Sequence, residues 1–418
     1  MGRRVLLVGA TGTFGARLAA LLARRPGLDL VLAARGLEAL EALRGALLAS
    51  GAVAQLSVRR FDRLQPEKLG ELEPWLVVDA AGPFQGDDYA LAFAAVRCGA
   101  HYVDLADTRG FVAGFTEALD VEARAAGVLA VTGASSTPAL SQAVLEPLVR
   151  DWRQLDEVVV AISPGARAPR GLSVMQAILS YAGQPVRVFR QGNWRTVRGW
   201  SGLRPLDMPG LGRRLASICE TPDLDLLPRR FPIRGDALFM AGLELTPMHL
   251  GLTLLSLPVR WGLLKSLRPL ARPLRRVADL LAPFGSDKGG MIVEATGLDE
   301  KGRRIRARWA LCAEANAGPS TPAAPAAALV NALLDEAEWE PGARACVGLL
   351  SPVQILGELD HLPIHTRVQE SHVGDPVLFR RLLGRWMDAA PLSIRTVHGA
   401  GAAAFRGRAT ARAGRSLV

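Results

Sequence analysis

Apolar positions in the first 150 residues alternate between two periods. Val5–Ala10 is a continuous apolar run, the pattern of a strand buried on both faces. Thr13–Arg25 brings Phe14, Leu18, Leu21 and Leu22 to one face of a helix. The same exchange repeats. Strands are predicted at Leu30–Ala34, Gln55–Phe61, Leu76–Ala81, His101–Leu105 and Val128–Val131. Helices are predicted at Leu37–Ala49, near Pro66–Leu72, at Tyr89–Cys98 and over Phe111–Ala126. Unbroken apolar strands alternating with helices specify a doubly wound, Rossmann-like parallel sheet covered on both faces.

Beyond residue 150 the pattern changes. Glu157–Ile162 and Met291–Thr296 read as strands, and Arg303–Leu311 alternates through Ile305, Ala307, Trp309 and Leu311. The stretch between them is rich in Gly, Pro and Arg and weakly periodic. Gly318-Pro319-Ser320-Thr321-Pro322 reads as a capped loop with proline at the first helical position, followed by a helix over residues 323–336. The expected organisation is the doubly wound domain over 1–150, a second domain over 151–350, and a C-terminal extension over 351–418.

At 418 residues, two or three domains are expected. A content of 49% hydrophobic and 22% charged residues excludes a disordered or collagen-like chain. Cys98, Cys219, Cys312 and Cys346 lie far apart with no CxxC pair, as suits reduced thiols in the cytoplasm rather than a disulfide framework or zinc ribbon. Arg3-Arg4 precedes an apolar run too short and too soon broken by glycine for an export signal, which again points inside the cell. The net charge of +10 comes almost wholly from arginine, since only four residues are lysine. No basic stripe interleaves with aromatics, so nucleic acid is not an expected partner, whereas an acidic small ligand or an anionic membrane surface is compatible.

The chemistry begins at Gly9-Ala10-Thr11-Gly12-Thr13-Phe14-Gly15, directly after the first strand. The spacing G-x-x-G-x-x-G is a variant of the dinucleotide fingerprint. Gly9 permits the tight turn, Gly12 lets backbone approach a pyrophosphate, and Gly15 lets helix and strand pack closely. Thr11, Thr13 and Phe14 belong to the same phosphate-facing loop. Arg35 stands where NAD-specific proteins carry Asp or Glu, and its guanidinium suits a 2′-phosphate, so NADP(H) is the expected cofactor. Asp62 ends the third strand, either accepting from an adenine amino group or forming a turn. Ala81, Gly82 and Pro83 follow the fourth strand, where small residues admit the nicotinamide half of the cofactor.

A reductase also needs a proton donor. Asp107, beyond the fifth strand, either serves a substrate or caps the next helix. Ser135, Ser136 and Thr137 read as a helix cap before Pro138, with a substrate contact as the alternative. His361 and His365 have a helical zinc spacing, but Pro363 separates them and no acidic or cysteine partner is near, so no metal is expected.

The glycine loop with Arg35, the segment VVDAAGPFQGDDYALAFAAVRCGAHYVDLAD (77–107) and VTGASSTPAL (131–140) together resemble the NADP-binding domain of saccharopine dehydrogenase-like oxidoreductases. The likeness continues more weakly through GGMIVEATGLDEKGRRIRARWAL (289–311) and GPSTPAAPAAAL (318–329). It implies a Rossmann domain, a second domain with a mixed sheet, hydride transfer with NADPH between them, and a helix after Gly318 that packs back on the first domain. The resemblance is to the broad family, since the amino-acid-substrate residues of the saccharopine-forming enzyme are not matched here. Residues 376–418 resemble the opening of a domain often appended to such proteins.

Residues 245–281 stand apart. Residues 245–259 carry no formal charge but are too few to span a bilayer. Arg260, Lys265, Arg268, Arg272, Arg275 and Arg276 then follow unopposed until Asp279, among regularly spaced leucines. Pro269 and Pro273 interrupt any long helix. Such a stretch packs on the body or on a second copy in a homodimer, or else touches a membrane or covers an apolar substrate. The expected function is reduction by NADPH of a carbonyl, imine or activated alkene in a small, lipid-like substrate. The rival readings are a non-catalytic NADP(H) sensor and a membrane-associated interaction protein.

Overall fold

A computed structural model describes residues 3–82, 84, 88–169 and 171–372. Six parallel strands open the chain: β1 (Arg4–Val8), β2 (Asp29–Ala34), β3 (Gln55–Arg60), β4 (Leu76–Asp79), β5 (His101–Asp104) and β6 (Leu129–Thr132). Their order is β6-β5-β4-β1-β2-β3, so the chain reverses direction across the sheet between β1 and β4. Between and after them run α1 (Thr13–Leu22), α2 (Leu37–Ala49), α3 (Ala90–Arg97), α4 (Arg109–Ala125) and α5 (Ser141–Val149). Alternate side chains of each strand feed two separate cores. Val5, Leu7, Leu30, Leu32 and Val78 pack with Leu18, Leu22 and Leu40 of α1 and α2. Leu6, Val8, Val31 and Val77 face Leu91, Phe111 and Phe115 of α3 and α4. Each such side chain, once fully buried, contributes roughly 1.5–3 kcal/mol, and two-sided burial is why β1, β2 and β4 carry no polar alternation, whereas β3, at the sheet edge, is partly exposed and mixes polar with apolar residues.

The second domain contains β7 (Gln154–Ser163), β8 (Pro185–Arg190), β9 (Asn193–Arg198), β10 (Arg204–Met208), β11 (Gly212–Ile218), β12 (Ile233–Ala241), β13 (Gly289–Leu298) and β14 (Arg304–Ala313). Its helices are α6 (Leu172–Tyr181), α7 (Asp223–Arg230), α8 (Thr246–Leu255), α9 (Leu257–Arg260) and α10 (Ala271–Leu281). The sheet is mixed: β12 runs parallel to β7, while β13 and β14 are antiparallel. Its inner face, through Val158, Val160, Val293 and Trp309, joins the same core cluster as α1 and α5, so the two domains share a continuous apolar interior.

The chain then returns to the first domain. A 3-10 turn at Gly318–Ala323 leads into α11 (Ala324–Leu334), and both lie against α1. β15 (Gly342–Ala345) pairs parallel with β6 as a seventh strand of the first sheet, a strand the weakly apolar sequence GARA did not announce. Asp120 Oδ1 accepts from the Ala343 amide and fixes it there. After α12 (Pro352–Gly357), β16 (Ile364–His372) forms the edge of the second sheet beside β14. His365 therefore sits on a strand and His361 in the turn before it, so the pair has no helical zinc spacing. Residues 376–418 and Pro83 lie outside the described residues.

Candidate functional site

The carboxyl ends of β1 and β4 diverge at the switch point of the first sheet, and a cavity of about 1370 Å³ opens there. It runs from the Gly9–Phe14 loop and Arg35 past Ala81 and Gly82, along Asp107 and Ser135–Thr137, to Tyr181 and Cys219, and on between α6, α8 and α10. A single-ligand pocket occupies about 300–1,000 Å³. This cavity has room for an extended dinucleotide and a second molecule.

At the first end, sterics explain the glycines. Gly9 has φ +78°, and a β-carbon there would stand 2.7 Å from Ala81 Cα. One on Gly15 would overlap the Gly9 carbonyl oxygen. Gly12 is the N-cap of α1, where no side chain caps the helix and the first turn carries no acid. The free amide end of α1 thus faces the cavity, a fit for a pyrophosphate. Arg35 lies exposed on the rim and makes no hydrogen bond or ion pair with a described residue, so its guanidinium is free for a 2′-phosphate. Asp62 has both sequence-level properties at once. Its Oδ1 accepts from the Leu64 amide at 3.1 Å, closing a turn, while the residue lines the cavity.

Aspartates at the strand ends shape the loops. Buried Asp79 accepts from the Ala81 amide (2.9 Å), from Arg63 Nε (2.7 Å) and from the Tyr102 hydroxyl (3.3 Å). Asp104 Oδ1 accepts from the Ala106 amide, the Thr132 hydroxyl and the Gly133 amide, each at 2.9 Å. Asp79 thereby sets the path of Ala80–Gly82, and Asp104 ties the loops after β5 and β6 together. Neither role was singled out from sequence, although an Asp two residues before an alanine at the end of an apolar strand is the signature of a side chain bonding its own backbone.

Those loops carry the polar wall of the cavity. Asp107 does not cap α4: Thr108 holds the cap position, and no side chain bonds the helix end. Its carboxylate is open to the cavity yet enclosed by protein, and that desolvation raises its pKa above the ordinary carboxylate value. Ser135, Ser136 and Thr137 likewise give no side-chain cap bond, a correction to the capping reading, and their hydroxyls bond to no described residue. Across from them, the Cys219 thiol donates to Tyr181 Oη at 3.0 Å. Burial pushes that thiol up to about 12, so it stays protonated, and burial together with the nearby Cys219 raises Tyr181 well above its usual value. The charge of Asp107 contributes to both shifts, which puts it within electrostatic reach of both groups. The hydroxyls of Thr221 and Thr321 line the same space, buried and without a partner among the described residues. Unpartnered hydroxyls of this kind mark a place where a ligand or water completes the bonding.

The walls are clamped. Arg109, in the first turn of α4, forms a bidentate pair with Asp225 of α7 at 2.5 and 2.6 Å and donates to the Arg187 carbonyl of β8. This joins the two domains beside Asp107. Among the described residues no group of His, Cys, Asp and Glu has the arrangement of a metal site.

Residues 5–131 match the family model of the saccharopine dehydrogenase NADP binding domain. The apo saccharopine dehydrogenase (L-Glu forming) of Saccharomyces cerevisiae has a TM-score of 0.61 to this chain at 13% identity, over 88% of this chain and 100% of that one. The two therefore share the fold, a parallel nucleotide-binding sheet joined to a mixed one. The DAP dehydrogenase of C. glutamicum in complex with DAP is also similar, with a TM-score of 0.45 at 15% identity over 86% and 98% of the two chains. No curated protein matches the sequence.

Proposed function

We propose that this chain, which carries a saccharopine dehydrogenase NADP-binding domain, is an NADPH-dependent oxidoreductase that reduces a carbonyl, imine or activated alkene of an apolar, lipid-like substrate. The observation that carries the reading is the continuity of one cavity. It joins the uncapped end of α1 to an apolar chamber walled by Met248, Leu252, Leu255 and Leu274, with Asp107 and Tyr181 between.

Bound NADPH supplies the hydride. The chain's own residues do the rest. The amides at Thr13 and Phe14 would hold the pyrophosphate, and Arg35 would pair with the 2′-phosphate. Tyr181 Oη accepts from Cys219, which leaves its own O–H free to hydrogen-bond a substrate oxygen or nitrogen while Asp107 supplies the proton. Asp107, whose hold on a proton desolvation strengthens, delivers the proton that completes reduction and recovers it from water in the cavity. The apolar chamber excludes bulk water and selects a substrate without charge.

Following deuteride from C4-labelled NADPH, each face labelled in turn, into lipid and polar cell fractions by mass spectrometry tests this. A product one mass unit heavier in the lipid fraction is expected. Tight NADPH binding with no labelled product in either fraction would overturn the proposal. In the cofactor site, Arg35→Ser is expected to weaken NADPH by about 10–100-fold, the worth of a lost charge-assisted contact, while NADH affinity stays the same. Fluorescence titration with both cofactors measures it, and an unchanged NADPH/NADH ratio would remove Arg35 from the site.

A further inference from the structure

We infer that the helical cap of α8–α10 docks the protein on an anionic lipid bilayer and sets the mouth of the cavity against it. This rests on the proposed apolar substrate and adds the route by which that substrate arrives.

α10 carries the argument. At 100° per residue, its apolar side chains fill about half the helix circumference. Ala271 and Ala278 are buried against the cap, and Leu274 and Leu281 face the cavity. The arc continues past what the protein covers: Val277 is half exposed, Leu280 74% exposed, and Phe284, just beyond the helix, 78% exposed. The opposite arc holds Arg272, Arg275, Arg276 and Asp279. A helix whose apolar arc is wider than its buried face, flanked by arginines, is built to lie at a membrane interface.

The preceding segment has the same character. Trp261 is 68% and Leu263 72% exposed, next to Lys265 and Arg268. Leu252, Val259, Leu267 and Ala271 form one small core under the cap, so both segments crown the same unit. The exposed cations Lys265, Arg268, Arg272, Arg275 and Arg276 face a single acid, Asp279, which lies 3.8 Å from Arg275. That imbalance selects an anionic surface. The cap is also firmly seated. His249 at its base accepts from the Leu243 amide through Nδ1, so Nε2 carries the proton and donates to Ser217 Oγ of β11 at 2.9 Å. Val277 and Leu255 belong both to the exposed crest and to the cavity wall, so the apolar surface runs without a break from outside to inside. No helix among the described residues is long and apolar enough to cross a membrane, and the contact is therefore interfacial.

Flotation of the full chain with vesicles tests the inference, comparing phosphatidylcholine alone with equal parts phosphatidylcholine and phosphatidylglycerol. Binding to the anionic vesicles is expected to be about 10-fold or more stronger and to weaken with added salt. Leu280→Glu with Phe284→Glu is expected to lower it about 10-fold or more, as is Arg272→Glu with Arg276→Glu. All four positions are exposed, so NADPH affinity and thermal midpoint should stay at the wild-type values. Absence of flotation by the wild type, or equal flotation by the variants, would overturn the docking. So would a wild-type dimer that the crest substitutions convert to monomer, since a second copy would then cover the crest. Deuteride transfer to detergent-dispersed lipid stands or falls separately, which keeps failure of docking distinct from failure of the proposed reaction.

Discussion

Asp107→Asn is expected to lower deuteride transfer from labelled NADPH by about 10²–10⁴-fold, the usual worth of a positioned proton donor. The amide keeps the size and polarity of the carboxyl group but has no acidic proton to give. Its neighbours should hold their places, because the Asp107 carboxylate makes no hydrogen bond to another described residue and the Arg109–Asp225 clamp beside it is untouched. NADPH affinity should therefore remain within about twofold. The pH profile separates catalysis from structure. Desolvation by the cavity walls raises the Asp107 pKa, so wild-type turnover should fall as pH rises through that raised value, while the residual activity of the variant should lack that limb. Tyr181→Phe should cost less, about 10-fold, because the buried Cys219 thiol loses its acceptor while the proton donor survives. Full activity in Asp107→Asn with an unaltered pH profile would reassign the donor.

The first domain was legible in sequence because two-sided burial leaves a simple mark: unbroken apolar runs such as LVLAA and LVV, separated by helices of the right length. The cofactor loop was legible because sterics permit only glycine at Gly9 and Gly15. The middle of the chain was harder. β8 and β9 do alternate, with Val186 and Val188 buried on either side of exposed Arg187, and Gln191-Gly192, both at positive φ, form the two-residue turn. Arginine-rich alternation on a sheet edge resembles a charged loop until the turn is recognised. β12 hides its period behind the irregularity between Ile233 and Asp236, and β16 is almost wholly exposed, with no apolar face to read. The polar wall of the site was legible only in pieces. Asp107 and Ser135–Thr137 lie on adjacent loops of one sheet, whereas Tyr181, Cys219 and Thr221 come from the second domain. Nothing local in sequence says that these two groups face one another.

Stability should carry a pH signature of the loops that hold this wall. Asp104 is wholly buried, and desolvation raises its pKa to about 7 against three stabilising hydrogen bonds; its Oδ2 has no partner. Asp223, bonded to Gln142 across the domain junction, is raised to about 6 for the same reason. Both keep their protons in the folded chain at a pH where the unfolded chain, with carboxyls near 3.8, has released them. Their contribution is therefore full below the unfolded value and is lost as pH rises through about 6 for Asp223 and about 7 for Asp104. His249 acts in the opposite sense. Burial lowers it to about 4, so its contribution is lost as pH falls from 6.5 towards that value, and it masks part of the trend in the wild type alone. Comparison with Asp104→Asn removes the masking, because His249 and Asp223 are common to both proteins. Between pH 5 and pH 8 the wild type should lose roughly 2–3 kcal/mol of unfolding free energy relative to the variant, read from urea denaturation at each pH. A difference that does not change with pH would mean that Asp104 is ionised throughout. The loops before Asp107 and Ser135 would then be held by a charge-assisted network instead of a protonated acid.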